Sequence, residues 1–109
     1  MLGPFAMSTI DAIFPFKKIG AYILTRDEGP TEYIAHYVGR SDADLANRLK
    51  DHISSGYKMF WYEIKESPMA AYHLECEWYH KYHPRDNQNH PAVPPGASWK
   101  CPIVGCPYA

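Results

Sequence analysis

Two short β-prone runs, residues 19–25 (IGAYILT) and 33–39 (YIAHYVG), stand on either side of the polar stretch RDEGPTE. The Gly29-Pro30 pair interrupts any regular element, so the two runs read as the arms of an antiparallel hairpin. Ser41 then opens SDADLANRLKDHI, with Asp42 and Asp44 in the first turn and Leu45, Leu49 and Ile53 at four-residue spacing. That spacing predicts an amphipathic helix, stopped by Ser54-Ser55-Gly56. Residues 57–65 (YKMFWYEIK) read as a third strand whose alternation puts Lys58, Phe60, Tyr62 and Ile64 on one face. Ser67-Pro68 supplies an N-cap and a first helical residue. The helix that follows runs to about Tyr82, with Ala71, Leu74 and Trp78 on one stripe and His83-Pro84 as its stop. The order β-β-α-β-α places the chain in the mixed α/β (α+β) class.

The flanks are different. Residues 1–13 (MLGPFAMSTIDAI) have neither a basic n-region nor an apolar h-region, so they are not a signal peptide. They are set aside as an N-terminal extension, with Met7 a candidate native start and the six residues before it a candidate cloning remnant. Residues 84–109 hold six of the ten prolines and show no periodicity, so they read as an irregular tail that needs a staple or a surface. The expected organisation is a domain over 14–90 and a tail over 91–109. A chain of 109 residues, 46% hydrophobic, supports one core. Its net charge of −1 excludes a strongly basic nucleic-acid coat. No apolar run nears the ~18 residues of a membrane span. Three cysteines, an odd number, disfavour a secreted disulfide scaffold. The expected setting is the cytoplasm or the nucleoid, with no membrane partner.

The candidate chemistry lies at the ends and faces of these elements. Tyr22 is in the first strand and Tyr37 in the second. Gly39 follows, where a small residue lets a phosphate approach the backbone. Arg48 and His52, four apart, project from one side of the first predicted helix. Glu75 lies mid-way along the second, among apolar residues. Singly, each has a plain explanation, since strands favour aromatics and helices carry solvated charge. Jointly they could serve phosphodiester cleavage. The acid would hold a divalent metal, the arginine would neutralise phosphate, and a Tyr or His would handle the proton.

The joint spacing resembles the GIY-YIG nuclease superfamily. Gly20-Ala21-Tyr22 and Tyr37-Val38-Gly39 are similar to its two signature triplets, with Ala in place of the usual Ile. Arg40-Ser41, then Leu45 to Leu49 with Arg48, and His52 one turn on, continue the likeness. So do Leu74-Glu75 and a closing Pro84-x-x-Asn87. The resemblance thus covers five elements in order over residues 20–87. It implies a three-stranded antiparallel sheet flanked by helices. It also implies a DNA endonuclease in which Glu75 binds one Mg²⁺ or Mn²⁺, Arg48 contacts the scissile phosphate and Tyr22 is the general base. Tyr37 and His52 would orient water and phosphate, while Gly39, Arg40 and Asn87 complete the substrate contacts. A tyrosine has a reference pKa near ~10, so Arg48, Arg40 and the metal are expected to lower that of Tyr22. Ala21 is expected to point to the opposite strand face and affect packing only.

The tail offers a second metal chemistry. Cys101 and Cys106 form C-x4-C, and Cys76 and His80 are four apart on one helix face. Glu75 is rotated by ~100° from Cys76 and is free to face the sheet. A Cys76/His80/Cys101/Cys106 set, with His83 or His90 able to replace His80, suits structural Zn²⁺ and would pin the tail to the helix. A Cys101–Cys106 disulfide or unlinked thiols are the alternatives. Two function classes follow: a metal-dependent DNA endonuclease, and a catalytically silent, zinc-stapled module binding nucleic acid or protein. RNA is an open alternative substrate. Few phosphate contacts predict weak, salt-sensitive binding, with specificity drawn from DNA structure, a homodimer or a partner protein.

Overall fold

Strand β1 (Gly20–Thr25) is buried along its whole length because it has neighbours on both edges and helices over both faces. The computed structural model describes residues 1–27 and 33–109, and the Gly29-Pro30 breaker lies outside the described residues. β1 pairs antiparallel with β2 (Tyr37–Ser41) on one side and with β3 (Met59–Ile64) on the other, in the order β2-β1-β3. Among the described residues the helices are α1 (Met7–Ile13), α2 (Leu45–Lys50) and α3 (Pro68–Tyr82), with a 3-10 turn at Ile53–Ser55.

Alternation along β1 divides the core. Tyr22 and Leu24 face α1 and α2, packing with Phe5, Ile10, Phe14, Leu45, Leu49 and Phe60. Ala21 and Ile23 face α3, packing with Val38, Leu74 and Trp78. Ala21 therefore has a packing role, as expected. α3 begins as the sequence indicates: Ser67 Oγ accepts from the Ala70 N–H at 3.1 Å, with Pro68 in the first turn. It ends at His83, whose φ of +46° is left-handed.

Several boundaries differ from expectation. β2 starts at Tyr37 rather than at 33, because pairing with β1 begins at Leu24–Tyr37. The hairpin is instead closed by His36, whose N–H donates to the Leu24 carbonyl and whose Nδ1 accepts from the Arg26 N–H. α2 is shorter than the predicted 41–53. Ser41 ends β2, and its Oγ accepts from the Asp44 N–H at 2.8 Å, while Asp44 caps the helix through the Asn47 N–H. At the other end the chain tightens into a 3-10 turn, with the His52 N–H bonded to the Leu49 carbonyl, so His52 lies beyond α2. On β3, Phe60 and Tyr62 face the core but Ile64 is half-exposed, since its cross-strand neighbour is Gly20, which offers no side chain to cover it.

The N-terminal segment is part of the fold, contrary to its exclusion above. Leu2 forms a bridge with Phe60 on the outer edge of β3, the Phe5 N–H bonds the Lys58 carbonyl, and Ile10 of α1 is fully buried in the core. Seven helical residues show too little periodicity to be read, and their apolar side chains acquire meaning only against α2 and β3. Among the described residues no helix is long and apolar enough to cross a membrane.

Both signature glycines answer a steric demand. A Cβ on Gly20 would lie 2.2 Å from the Glu63 carbonyl oxygen, and one on Gly39 would lie 2.5 Å from the Tyr22 hydroxyl. Gly39 thus makes room for the ring of Tyr22, an internal neighbour. Gly39→Ala is expected to displace that ring and cost about 1–3 kcal/mol of stability in urea unfolding. Ile10→Ala is expected to cost about 2–5 kcal/mol in the same measurement. Phe16→Ala, at a largely exposed position, should change it by less than about 0.5 kcal/mol.

Candidate active site

β2 is an edge strand, so side chains from both faces of the sheet can reach around its free edge. The register puts Tyr37 and Gly39 on the α2 side, opposite Leu24 and Tyr22, and Arg40 on the α3 side, opposite Ala21. A cavity of about 390 Å³ opens there, lined by Tyr37, Gly39, Arg40, Asp42, Arg48 and Glu75 among others. The structure therefore brings two carboxylates, two guanidiniums and a phenol to one opening.

Glu75 sits inward on α3 and is only 7% exposed. Its Oε1 accepts from Arg40 Nη1 at 2.7 Å, and Arg40 Nε donates to Asp42 at 2.8 Å. The Arg40 guanidinium also lies over the Tyr72 ring, 5.2 Å from its centroid. Two carboxylates thus match the charge expected to be offered to substrate, and Arg40 becomes the group that orients Glu75. The reason is register, since Arg40 emerges on the face where α3 packs. Burial pushes the Glu75 carboxyl above the usual range, opposed by Arg40. Arg48, by contrast, has a half-exposed side chain whose nearest ion-pair partner, Asp51, is 4.0 Å away.

Behind Gly39 lies an aromatic cluster. Tyr22 is fully buried, with its hydroxyl 2.9 Å from His52 Nε2. The Tyr37 ring stacks on that of Tyr22 at 6.2 Å and lies 4.7 Å from the His52 ring. Burial, reinforced by Tyr37, raises the Tyr22 phenol well above its ordinary pKa. Arg48 pulls it down but does not prevail, so the expected depression is not present in the protein alone. Burial lowers the pKa of His52, with Arg48 acting in the same direction, which favours the neutral imidazole; in its Nδ1–H tautomer the ring accepts the Tyr22 O–H.

Asn87 does not face the cavity. Its Oδ1 accepts from the Val38 N–H at 2.9 Å and its Nδ2 donates to the Val38 carbonyl at 2.8 Å. The carboxamide therefore acts as one residue of a missing strand and caps the edge of β2. Both amide atoms are thereby engaged by Val38. Asp42, which sequence reading placed only in a helix turn, lies in the cavity wall and braces Arg40; its place directly after Arg40-Ser41 was the available signal.

In the tail, the ligand atoms of His80, His90, Cys101 and Cys106 all lie within 4.8 Å of one another. Cys76, expected in this set, is outside it: it is fully buried with Tyr72 and Cys101 beneath Val93 and Trp99. One turn of α3 separates Cys76 from His80, and packing of the tail draws Cys76 into the apolar cluster. His90 takes its place, and His83 caps the end of α3.

No model of a protein family matches the chain, and no curated protein does. Two solved structures do. Both are of the GIY-YIG N-terminal endonuclease domain of UvrC from Thermotoga maritima, as tyrosine-to-phenylalanine point mutants bound to the catalytic divalent cation. One aligns with TM-score 0.53 at 19% identity and the other with 0.52 at 20%; each alignment covers 74% of this chain and 97% of that domain. The fold of this chain is that of the GIY-YIG endonuclease domain.

Proposed function

We propose that this protein is a metal-dependent endonuclease that hydrolyses phosphodiester bonds in DNA. One observation carries the reading: buried Glu75 and half-exposed Arg48 line the same cavity, whose wall includes Gly39, the residue against which the hydrogen-bonded Tyr22 packs. The solved domains of like fold hold a divalent cation. The donors here fit such an ion, because Arg40 engages Glu75 through Oε1 and a carboxylate has further acceptor capacity. A single carboxylate suits Mg²⁺ or Mn²⁺, which usually keep several waters. Bound at Glu75, the ion would supply Lewis-acid stabilisation of charge on the phosphoryl group.

The residues of the chain divide the remaining work. Arg48 is free enough to pair with a non-bridging phosphate oxygen, where its fixed fork suits two oxygens at once. Tyr37 and Gly39 form the wall that orients the attacking water. Tyr22 is too weak a base by itself, since burial holds its proton. With His52 in its Nδ1–H tautomer, however, the Tyr22 hydroxyl donates to Nε2 and can take the proton of water as it passes its own on. Near-neutral charge leaves affinity for the duplex low, so a second copy or a partner protein supplies specificity.

Plasmid nicking with Mg²⁺ or Mn²⁺, against an EDTA control and a single-stranded RNA arm, tests the reading. Glu75→Gln is expected to abolish nicking, and Arg48→Ala to slow it by on the order of 10²–10³. Parental nicking by Glu75→Gln would overturn the assignment. The relay also sets a pH dependence. His52 must be neutral to accept, and its pKa is depressed, so at saturating metal the rate should rise with pH and level off below about pH 6.5. A plateau reached only well above that value in single-turnover assays would remove His52 from the relay.

A further inference from the structure

Where the C-terminal tail meets the end of α3, one helix side chain and three tail side chains with no part in the cavity chemistry converge. His80 lies in the last turn of α3, His90 in the proline-rich segment, and Cys101 and Cys106 at either end of a short loop. Cys101 Sγ is 3.4 Å from His80 Nε2, and Cys106 Sγ is 3.5 Å from His90 Nε2. Tetrahedral zinc with Zn–S near ~2.3 Å and Zn–N near ~2.05 Å requires sulfur and nitrogen to stand about 3.5 Å apart. Two separate thiol–imidazole hydrogen bonds would give the same spacing but would not need the two pairs to converge. Here they do, with all four atoms within 4.8 Å.

The surroundings prepare these groups to bind a cation. His90 Nδ1 is 3.0 Å from the Pro91 carbonyl oxygen, an arrangement in which Nδ1 carries the proton and donates, leaving the Nε2 lone pair for a metal. The His90 ring is further held by stacking on Tyr108 at 4.2 Å. The Tyr108 N–H points at Cys106 Sγ at 3.4 Å, a donor that stabilises a thiolate. The loop is shaped for this, with Gly105 at φ +87° and the Cys106 N–H bonded to the Ile103 carbonyl.

From this convergence we propose a structural zinc centre formed by His80, His90, Cys101 and Cys106. Two soft thiolates and two imidazoles select Zn²⁺ over the hard ions suited to Glu75. The centre ties α3, which carries Glu75, to the tail segment that places Asn87 on β2 and Ala92 in the cavity wall. It does not depend on the nuclease reading, and its test measures metal rather than cleavage.

The test uses full-length protein without a histidine tag, purified away from metal-affinity resin. Elemental analysis is expected to find on the order of one zinc per chain, both in the parent and in Cys76→Ala. Cys106→Ser should hold at least about tenfold less. Cobalt in place of zinc should give the visible bands of a tetrahedral site together with thiolate-to-metal charge transfer. Chelation should open residues 84–109 to limited proteolysis. Zinc well below stoichiometric in the parent, a Cys101–Cys106 disulfide in the unreduced protein, or equal loss in Cys76→Ala would overturn the proposal. If Cys106→Ser does not fold, the parent's zinc content and cobalt spectrum decide it.

Discussion

The Arg40–Glu75 ion pair is the contact around which this molecule is arranged. It joins an edge strand to the inner face of α3 at 2.7 Å, with both side chains about nine-tenths buried. Removing one partner of such a pair leaves the other stranded in a poor solvent, at a cost of about 3–5 kcal/mol. Asp42 and the Tyr72 ring complete the surroundings of the guanidinium, and among the described residues no buried side-chain polar atom lacks a partner. The pair fixes where the one inward carboxylate of α3 sits. A carboxylate held at low dielectric is also one that gains most from a nearby cation.

The location of the cavity follows from sheet order. With β1 central, β2 keeps a free edge, and only at an edge can Tyr37 and Gly39 from one face meet Arg40 and Glu75 from the other. A free edge also exposes unpaired backbone groups, and the chain closes both outer edges with its own flanks. Asn87 caps β2 with a side-chain amide, and Leu2 pairs with Phe60 on β3. Segments that look like irregular extensions are therefore structural members. The tail does more than cover an edge, since Asp86 beside Asn87 also accepts from the Tyr57 hydroxyl at 2.7 Å.

Much of the candidate site was legible because its residues are placed by short-range pattern. Tyr22, Gly39 and Tyr37 lie within two strands whose pairing a hairpin dictates, and Arg48 and Glu75 sit on helices with clear caps and stripes. The roles were less legible than the positions. Nothing local signals that register puts Arg40 beside Glu75, or that the Asn87 amide pairs with Val38. Tyr22 looked like a base lowered by cations, yet its burial outweighs Arg48. Each revision arises from a neighbour distant in sequence.

The sequence by itself determined the strands, the capped α3, the fold class and the residue types available for chemistry, because propensity, turn residues and apolar spacing act over a few residues. Only the tertiary structure decided that α1 belongs to the core, that Cys76 is packed away while His90 joins His80, and that the Tyr22 hydroxyl meets the His52 ring. Those outcomes depend on which surfaces are buried together. Burial is settled by contacts between segments tens of residues apart, where no local pattern reaches.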